Sequence, residues 1–206
     1  MARTTGSDGE KTEASIRAAG LDLFARHGYE AVSMRQIAAA VGVQAAALYR
    51  YFPTKEALLF TLLDLHLREL TTSWDATRPT SHDATARLTA FVGHHLSFHI
   101  ERRHATHVSN MDLRSLTKER LSAILKLRGA YEKELRVILR DGAEQGMFAI
   151  DDVGLIAMAI LQMISGVIVW FRPDGKLSVE DVTKTYLAMT MRLVGVKEDA
   201  NVSQHA

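Results

Sequence analysis

Five histidines cluster at positions 94, 95, 99, 104 and 107, and histidine is the residue type that most often binds transition metals. His95 and His99 are four residues apart, so on a helix they would share a face and could hold one ion. Among the acidic residues and remaining histidines, Glu101 alone adds a ligand at a suitable spacing. We therefore interpret the cluster as solvated or pH-titrating histidines and predict neither a metal site nor a bound cofactor.

Catalytic groups do not form a recognisable arrangement in the sequence. The 206 residues include no cysteine, which excludes disulfides, thiol nucleophiles and cysteine-ligated metals and suits a reducing cytoplasm. The sequence also lacks a glycine-rich phosphate loop, a Gly-x-Ser-x-Gly elbow and a His-Glu-x-x-His helix. We predict that the protein is not an enzyme and has no catalytic residues.

The composition predicts an all-α globular protein. Apolar residues make up 47% of the chain and charged residues 24%, and only three prolines interrupt many strong helix formers. Lys and Arg together number 25 and Asp and Glu 24, so the net charge is +1. A protein that coats nucleic acid has a broad positive surface, so any DNA contact here must come from a few placed donors.

Apolar residues recur at helical spacing through most of the chain, and caps or glycines mark the ends of helices. Ser33 and Gln36 predict a capping box, and Gly42 is placed for a left-handed turn. We also predict a flexible arm over residues 1–10, a loop at Thr77–Asp83 and a disordered tail over 197–206. The predicted helices span residues 12–26, 33–41, 45–51, 54–74, 84–102, 106–109, 117–145, 152–171 and 178–194.

The segment from Ser33 to Phe52 has the layout of a helix-turn-helix, in which the second helix enters the major groove of DNA. The motif requires a tight turn, small residues on the groove side and apolar residues that lock its two helices together. Ala45, Ala46 and Ala47 would let the second helix approach base edges closely. The locking residues would be Ile37, Ala38, Val41, Val43 and Leu48.

Residues 12–60 resemble the DNA-binding head of the TetR family of transcriptional regulators. The resemblance rests on LFARHGYEAVSM at the end of the first helix, on RQIAAAVGV and on ALYRYFPTKEALL. It implies a three-helix head on a helical body, about nine helices in all. We therefore expect a DNA-binding domain over residues 11–56, with its motif at 33–52, and a ligand-binding and dimerisation domain over 57–196.

The resemblance also implies which residues contact DNA. Ser33 would hold a phosphate at a helix N-terminus, and Arg35 would contact the groove or a phosphate. The opening of the second motif helix would make the base contacts, and two tyrosines and a lysine would bind phosphates. These last residues are Gln44, Ala45, Ala46, Tyr49, Tyr51 and Lys55. The alternative is that Tyr49, Tyr51 and Phe52 pack inside the protein, which is the role expected for Phe52, and that Arg35 and Lys55 are solvated surface charges.

Two positions depart from the usual pattern of the family. Gln44 stands where a serine or threonine cap is common, and Ala46 stands where glycine or proline is frequent. Glutamine is a poor helix cap, but its amide can read adenine through two hydrogen bonds. The departure bears on the operator sequence and leaves the fold unchanged.

In the body, the resemblance implies that the last two helices pair with those of a second subunit in a four-helix bundle. A two-fold dimer would place two recognition helices about 34 Å apart on a pseudo-palindromic operator in double-stranded DNA. The residues expected to face inward or across the bundle are Ile156, Ile160, Met163, Ile164, Val167, Tyr186, Leu187, Thr190, Leu193 and Val194.

A small-molecule effector is expected among the middle helices. Its candidate pocket residues are Phe91, His95, Phe98, Met111, Leu113, Tyr131, Leu135 and Trp170, all of which could equally be core. The stretches NMDLRSLTKER and WFRPDGKLSVED resemble a branch of the family that regulates fatty-acid or steroid breakdown and answers to acyl-CoA thioesters. This suggests a largely apolar effector that releases a repressor from DNA. A helical DNA-binding protein without a ligand switch is the alternative.

One stretch, Leu155–Phe171, runs 17 residues without a charge, which is near the lower limit for a membrane span. It contains Gln162, Ser165 and Gly166, and the flank on its N-terminal side is acidic rather than basic. A helix buried both by its own core and by a partner subunit has the same composition. The N-terminus has no signal-peptide pattern, so we expect no membrane association and a cytoplasmic location.

Overall fold

The computed structural model describes residues 5–111 and 113–196, and the described residues form ten α-helices and one 3₁₀ turn without any strand. The all-α prediction is therefore confirmed. The helices are α1 (Thr5–His27), α2 (Met34–Val41), α3 (Ala45–Tyr51), α4 (Lys55–Thr77), α5 (Ala84–Glu101), α6 (Arg103–Met111), α7 (Lys118–Glu144), α8 (Val153–Ser165), α9 (Val167–Trp170) and α10 (Val179–Leu193), with the 3₁₀ turn at Leu113–Ser115.

The largest differences from the predicted boundaries are at the start of α1 and inside the predicted helix 152–171. Helix α1 begins at Thr5, so residues 5–10 are helical where a flexible arm was expected. The predicted helix 152–171 is interrupted at Gly166, which separates α8 from α9. The rest of the arm, residues 1–4, and the predicted tail over 197–206 lie outside the described residues.

The chain divides into two compact units. The first comprises the described residues of Met1–Glu69 together with Arg102–Leu127, and the second those of Leu70–Glu101 and Arg128–Ala206. Helices α4 and α7 contribute residues to both units, and the Thr77–Asp83 loop lies within the second. The functional boundary placed between residues 56 and 57 stays a prediction.

The first unit has a single apolar core. Ile16 and Phe24 from α1, Ile37 from α2 and Leu48 from α3 are at most 1% exposed. The start of α4 joins them through Leu58 and Leu59, and the segment after residue 102 joins through Val108, Leu116 and Ile124. This shared core explains why residues 102–127 belong with the head. Phe52 is also buried here, at 4% exposed, as its predicted packing role requires.

The second unit is built around α5, which packs against α8, α9 and α10. Its core includes Phe91, Leu96, Leu135 and Ile160, each completely buried. Near the end of α7, the ring of Phe148 approaches Gly142 so closely that a Cβ there would lie 2.1 Å from it. Glycine is therefore required by packing at this helical position.

Candidate nucleic-acid interface and buried aromatic site

Helix α2 starts at the capping box that the sequence predicted. The Ser33 hydroxyl accepts a hydrogen bond from the Gln36 backbone N–H at 3.3 Å, and the Gln36 side chain accepts from the Ser33 backbone N–H at 2.7 Å. Val32 and Ile37 on either side are buried, as in a hydrophobic staple. Ser33 itself is exposed, so the N-terminus of α2 is open to an anion.

The turn between α2 and α3 depends on Gly42, whose φ is +75° and ψ is 26°. Its backbone N–H bonds back to the carbonyls of Ala38 and Ala39, and Val43 donates to the Ala38 carbonyl at 3.0 Å. A side chain would be strained in this left-handed conformation, so glycine sets the angle at which α3 leaves α2.

One face of α3 is exposed and the opposite face is anchored. Leu48 is completely buried, and Ala45 packs partly against the core. Ala46, Tyr49 and Arg50 are exposed at helical spacing i, i+3 and i+4, and Tyr49 keeps 47% of its surface accessible. A short helix with a small side chain, a phenol and a guanidinium on its open face fits the major groove of DNA.

Gln44 is the N-cap residue of α3, is exposed, and makes no side-chain capping bond. Its side-chain amide therefore takes no part in capping the helix. Glutamine in this position can present both a donor and an acceptor to one base edge, as adenine requires.

Two of the predicted phosphate ligands, Lys55 and Tyr51, make contacts inside the first unit. The Lys55 ammonium lies 4.1 Å from the centroid of the Tyr29 ring and donates to the Tyr29 carbonyl at 2.8 Å. Tyr51 packs partly against the core, with its hydroxyl 3.8 Å from the site of a Cβ on Gly9 in α1. Both side chains are thus engaged within the first unit, and their predicted DNA contacts are untested.

Arg50 is a surface residue that was not among the predicted DNA contacts. It is exposed in the last turn of α3, one residue beyond Tyr49 and four beyond Ala46. The helical spacing to Ala46 was the available signal, because residues i and i+4 lie on the same face. Arg35 on α2 is also exposed, as its predicted contact with DNA requires.

In the second unit, four of the predicted pocket residues come together. The Phe91 ring lies 5.0 Å from that of Tyr131 and 6.3 Å from that of His95, and His95 lies 5.8 Å from Tyr131. Phe98 is buried near the same histidines, with its ring 5.7 Å from His99. We call Phe91, His95, Phe98 and Tyr131, together with Trp74 and His94, the aromatic cluster.

Two predicted pocket residues lie elsewhere. Leu113 packs partly against the core of the first unit. Trp170 is 45% exposed, and its indole N–H donates to the Tyr186 hydroxyl at 3.2 Å. Leu135 is completely buried in the second core, and the Met111 side chain lies outside the described residues. Sequence spacing alone could not distinguish these environments, because all of these residues are apolar.

Of the five clustered histidines that were expected to be solvated, His104 and His107 are exposed, whereas His94 is half-buried and His95 and His99 are buried. His95 is 2% and His99 6% exposed, and their rings stack with centroids 3.8 Å apart. His95 shares a 3.0 Å hydrogen bond with the Ser165 hydroxyl, and His94 shares one of 2.9 Å with Ser73. Within residues 5–111 and 113–196, no three potential metal ligands come together.

Helix α8 has an exposed apolar stripe at Leu155, Met158 and Ala159, spaced i, i+3 and i+4, with the polar Gln162 exposed one turn further on. Leu155 is 59% and Met158 49% exposed, while Ile160 and Ile164 on the other face are buried. The stretch Val153–Trp170 is apolar and long enough to cross a membrane by length and composition, and 22% of it is buried in this single chain. Helix α10 adds exposed apolar residues at its start, Val179, and in its C-terminal half, Met189 and Leu193.

Comparisons with known proteins agree with this architecture. Residues 16–62 match the family "Bacterial regulatory proteins, tetR family", and residues 81–194 match "Tetracyclin repressor-like, C-terminal domain". The chain belongs to the TetR family. It is a ligand-responsive, DNA-binding transcriptional regulator.

Individual TetR-family proteins resemble it over nearly their whole length. The HTH-type transcriptional repressor KstR2 of Rhodococcus jostii (strain RHA1) is 28% identical over 190 residues, which cover 91% of this chain and 92% of that protein. A solved tetR-family protein from Rhodococcus RHA1 has a TM-score of 0.87 and 29% identity, covering 91% of this chain and 99% of that one.

A third comparison is with AibR, solved in complex with isovaleryl coenzyme A and operator DNA. Its TM-score to this TetR-family chain is 0.77 at 25% identity, and the match covers 86% of this chain and 97% of AibR. That structure therefore shows the same fold with both kinds of ligand present.

Proposed function

We propose that this protein is a homodimeric repressor that a largely apolar effector releases from a pseudo-palindromic operator. The observation that carries the proposal is the open face of α3, where Gln44, Ala46, Tyr49 and Arg50 are exposed and Leu48 anchors the helix. Gln44 would read a base, and Arg50 and Tyr49 would bind phosphates together with Ser33 and Arg35.

The dimer is supported by the exposed apolar stripe on α8 and by Met189 and Leu193 on α10. Contiguous apolar surface on a soluble protein marks an interaction site. A second copy would cover it through a four-helix bundle, and we propose this covering in place of a membrane. The protein would accordingly be cytoplasmic and, like its relatives, not an enzyme.

An effector site is supported by the aromatic cluster in the second unit. KstR2 is named as a repressor, and AibR was solved with an acyl-CoA ester, so effectors of this general chemistry are the first to test. An effector can release the operator only by binding one of two conformations more tightly than the other.

The first turn of α4 is where a change of conformation caused by the effector would act on the DNA-binding head. Glu56 is ion-paired with Arg120 of α7 and accepts a 3.2 Å hydrogen bond from the Thr117 backbone N–H. Lys55, its neighbour, is bonded to the Tyr29 carbonyl. A tilt of α4 would therefore move the turn that follows α1 and the start of α7 together.

The test is selection of DNA sequences by the purified protein, repeated with a panel of acyl-CoA esters and their free acids. We expect a pseudo-palindromic sequence, bound by a dimer, and at least one ester that weakens DNA binding while the dimer stays intact. Selection of no preferred sequence would contradict the proposal. Sequence-specific binding that no effector changes would instead support a DNA-binding protein without a ligand switch.

A further inference from the structure

The two ends of the helix-turn-helix motif are bonded to the same distant segment of the chain. This segment, Leu113–Arg120, comprises the 3₁₀ turn and the first residues of α7, and we call it the anchor segment. Glu30, in the turn before α2, accepts a hydrogen bond from the Ser115 hydroxyl at 3.3 Å. Glu56, in the first turn after α3, accepts one from the Thr117 backbone N–H at 3.2 Å. The motif lies between these two glutamates in the sequence.

Glu56 is connected to the anchor segment in two ways. Its carboxylate is ion-paired with Arg120, and only 18% of its side chain is exposed. The Arg120 guanidinium also lies 5.2 Å from the centroid of the Phe60 ring, on the same helix as Glu56. The Thr117 N–H belongs to the start of α7, where backbone N–H groups lack a partner within the helix and an anion is favoured. Both charge and backbone hydrogen bonding therefore join the starts of α4 and α7.

The anchor segment is itself held in the core of the first unit. Leu116 lies within it and is 9% exposed, and Ile124, one turn beyond it on α7, is completely buried. Both belong to the apolar core that contains Ile37 of α2 and Leu48 of α3. A bond to this segment therefore ties a residue to a fixed part of the unit.

The motif helices need such support because they are short. Helix α2 has 8 residues and α3 has 7, whereas isolated helices shorter than about 12 residues are marginal in water. We propose that Glu30 and Glu56 are positioning residues, through which the anchor segment fixes the orientation of α2 and α3 for binding DNA. The DNA-binding head then includes residues 113–120, far outside the motif. The inference concerns DNA binding alone and holds with or without an effector.

The test compares affinity for the selected operator with affinity for a duplex of random sequence and the same length. Base contacts require a defined orientation of α3, whereas non-specific binding depends mainly on charge. Glu56→Gln keeps an acceptor for the Thr117 N–H and loses the ion pair, and Arg120→Gln loses it from the other side. The two substitutions change the net charge in opposite directions, so a fall of the affinity ratio in both cannot be a charge effect.

We expect the ratio of specific to non-specific affinity to fall about fivefold in each single variant, and no further in the double variant, since both remove one coupled pair. Ser115→Ala removes a single hydroxyl from the contact with Glu30 and should reduce the ratio about twofold. Arg68→Gln is the matched control, because it breaks an ion pair with Asp64 that connects residues of α4 only. It should leave the ratio unchanged.

Hydrogen exchange of the backbone amides of residues 33–52 provides a second measurement that needs no DNA. Loss of the anchoring contacts should make these amides exchange faster in Glu56→Gln and Arg120→Gln, but not in Arg68→Gln. A variant that unfolds at a lower temperature while its affinity ratio and its exchange stay unchanged has lost general stability only. That result in both ion-pair variants would overturn the inference.

These outcomes are separable from failure of the proposed function. Sequence-specific binding with an unchanged ratio and unchanged exchange in the variants removes the anchoring and keeps the repressor. Faster exchange over residues 33–52 in a protein that selects no DNA sequence keeps the anchoring and removes the proposed operator.

Discussion

Helices α3 and α8 each expose a face that their own unit leaves uncovered, but the two faces have opposite chemistry. On α3 the open positions include Gln44, Ala46 and Arg50, two of which can form directional hydrogen bonds. On α8 they include Leu155 and Met158, which offer only apolar area. Both helices are anchored by fully buried leucine or isoleucine on the opposite side.

The contrast indicates what each face needs as a partner. A polar face loses little by remaining in water, so it can bind and release DNA reversibly. Exposure of an apolar face to water is unfavourable in free energy. Such a face therefore favours a permanent partner, for which a second copy of the chain is the simplest choice. The predictions below test whether the two faces behave in these different ways.

The largest effect is expected for Leu155→Glu. A carboxylate at this position would be desolvated in the proposed dimer, so the protein should become monomeric. A monomer loses the second half-site, and operator affinity should fall on the order of a hundredfold or more. Sedimentation equilibrium and a DNA titration measure the two changes.

Leu125→Glu provides the control, because Leu125 is also an exposed leucine, at 51%, but lies on α7 outside the apolar stripe. It should leave both the mass and the affinity unchanged. A Leu155→Glu protein that remains a dimer would show that the stripe on α8 is not the interface.

Gln44→Ala should change which base is preferred at one position in each half-site. A well-placed pair of hydrogen bonds to a base contributes about 1–3 kcal/mol of discrimination. Repeating the sequence selection with the variant measures the change. If the variant instead lost affinity for every sequence and kept the same base preference, Gln44 would contact the DNA backbone and not a base.

Arg50→Ala should weaken binding to all sequences alike, because a phosphate contact carries no sequence information. The slope of log affinity against log salt should decrease in magnitude by about 1. Arg68→Ala is the control: Arg68 is an exposed arginine of the same unit, paired with Asp64 on α4. An unchanged salt slope in Arg50→Ala would show that Arg50 does not contact a DNA phosphate.

The head was more predictable from sequence than the body for a physical reason. Ser33, Gln36 and Gly42 act on residues within four positions of themselves, so their roles follow from local spacing. The aromatic cluster instead joins Trp74, Phe91 and Tyr131 from three helices. Apolar periodicity marks each as buried without showing which of them meet.

The same limit applies to contacts within the head that join distant residues. Lys55, a predicted phosphate ligand, bonds the carbonyl of Tyr29, which is 26 residues away in the chain, and its contact with DNA stays a prediction. Tyr51 and Tyr49 are two residues apart on α3 and therefore point in different directions, one toward α1 and one outward. Spacing alone does not show which of the two tyrosines is exposed. It does so only once Leu48 is known to lie on the buried face of α3.

The smallest effects compare two capping boxes, one in each unit. Ser33→Ala should reduce stability by about 1 kcal/mol and also weaken DNA binding, because α2 presents its N-terminus to a phosphate. Ser178→Ala removes the equivalent hydroxyl at the start of α10, where it bonds Asp181. It should lower the unfolding temperature and leave DNA affinity unchanged. Equal losses of DNA affinity in the two variants would contradict a specific role for Ser33.

The two boxes should also differ in their response to pH. Hydrogen bonds from the Ser178 hydroxyl and backbone N–H lower the pKa of Asp181, so that box stabilises the folded state above the ordinary aspartate pKa. The contribution is lost as the pH falls through the lowered value, because the carboxylate is then protonated in the folded state as well. The partner of Ser33 is Gln36, which does not titrate. The stability difference between the natural protein and Ser178→Ala should therefore shrink in acid, while that of Ser33→Ala stays constant, as thermal unfolding across this pH range would measure.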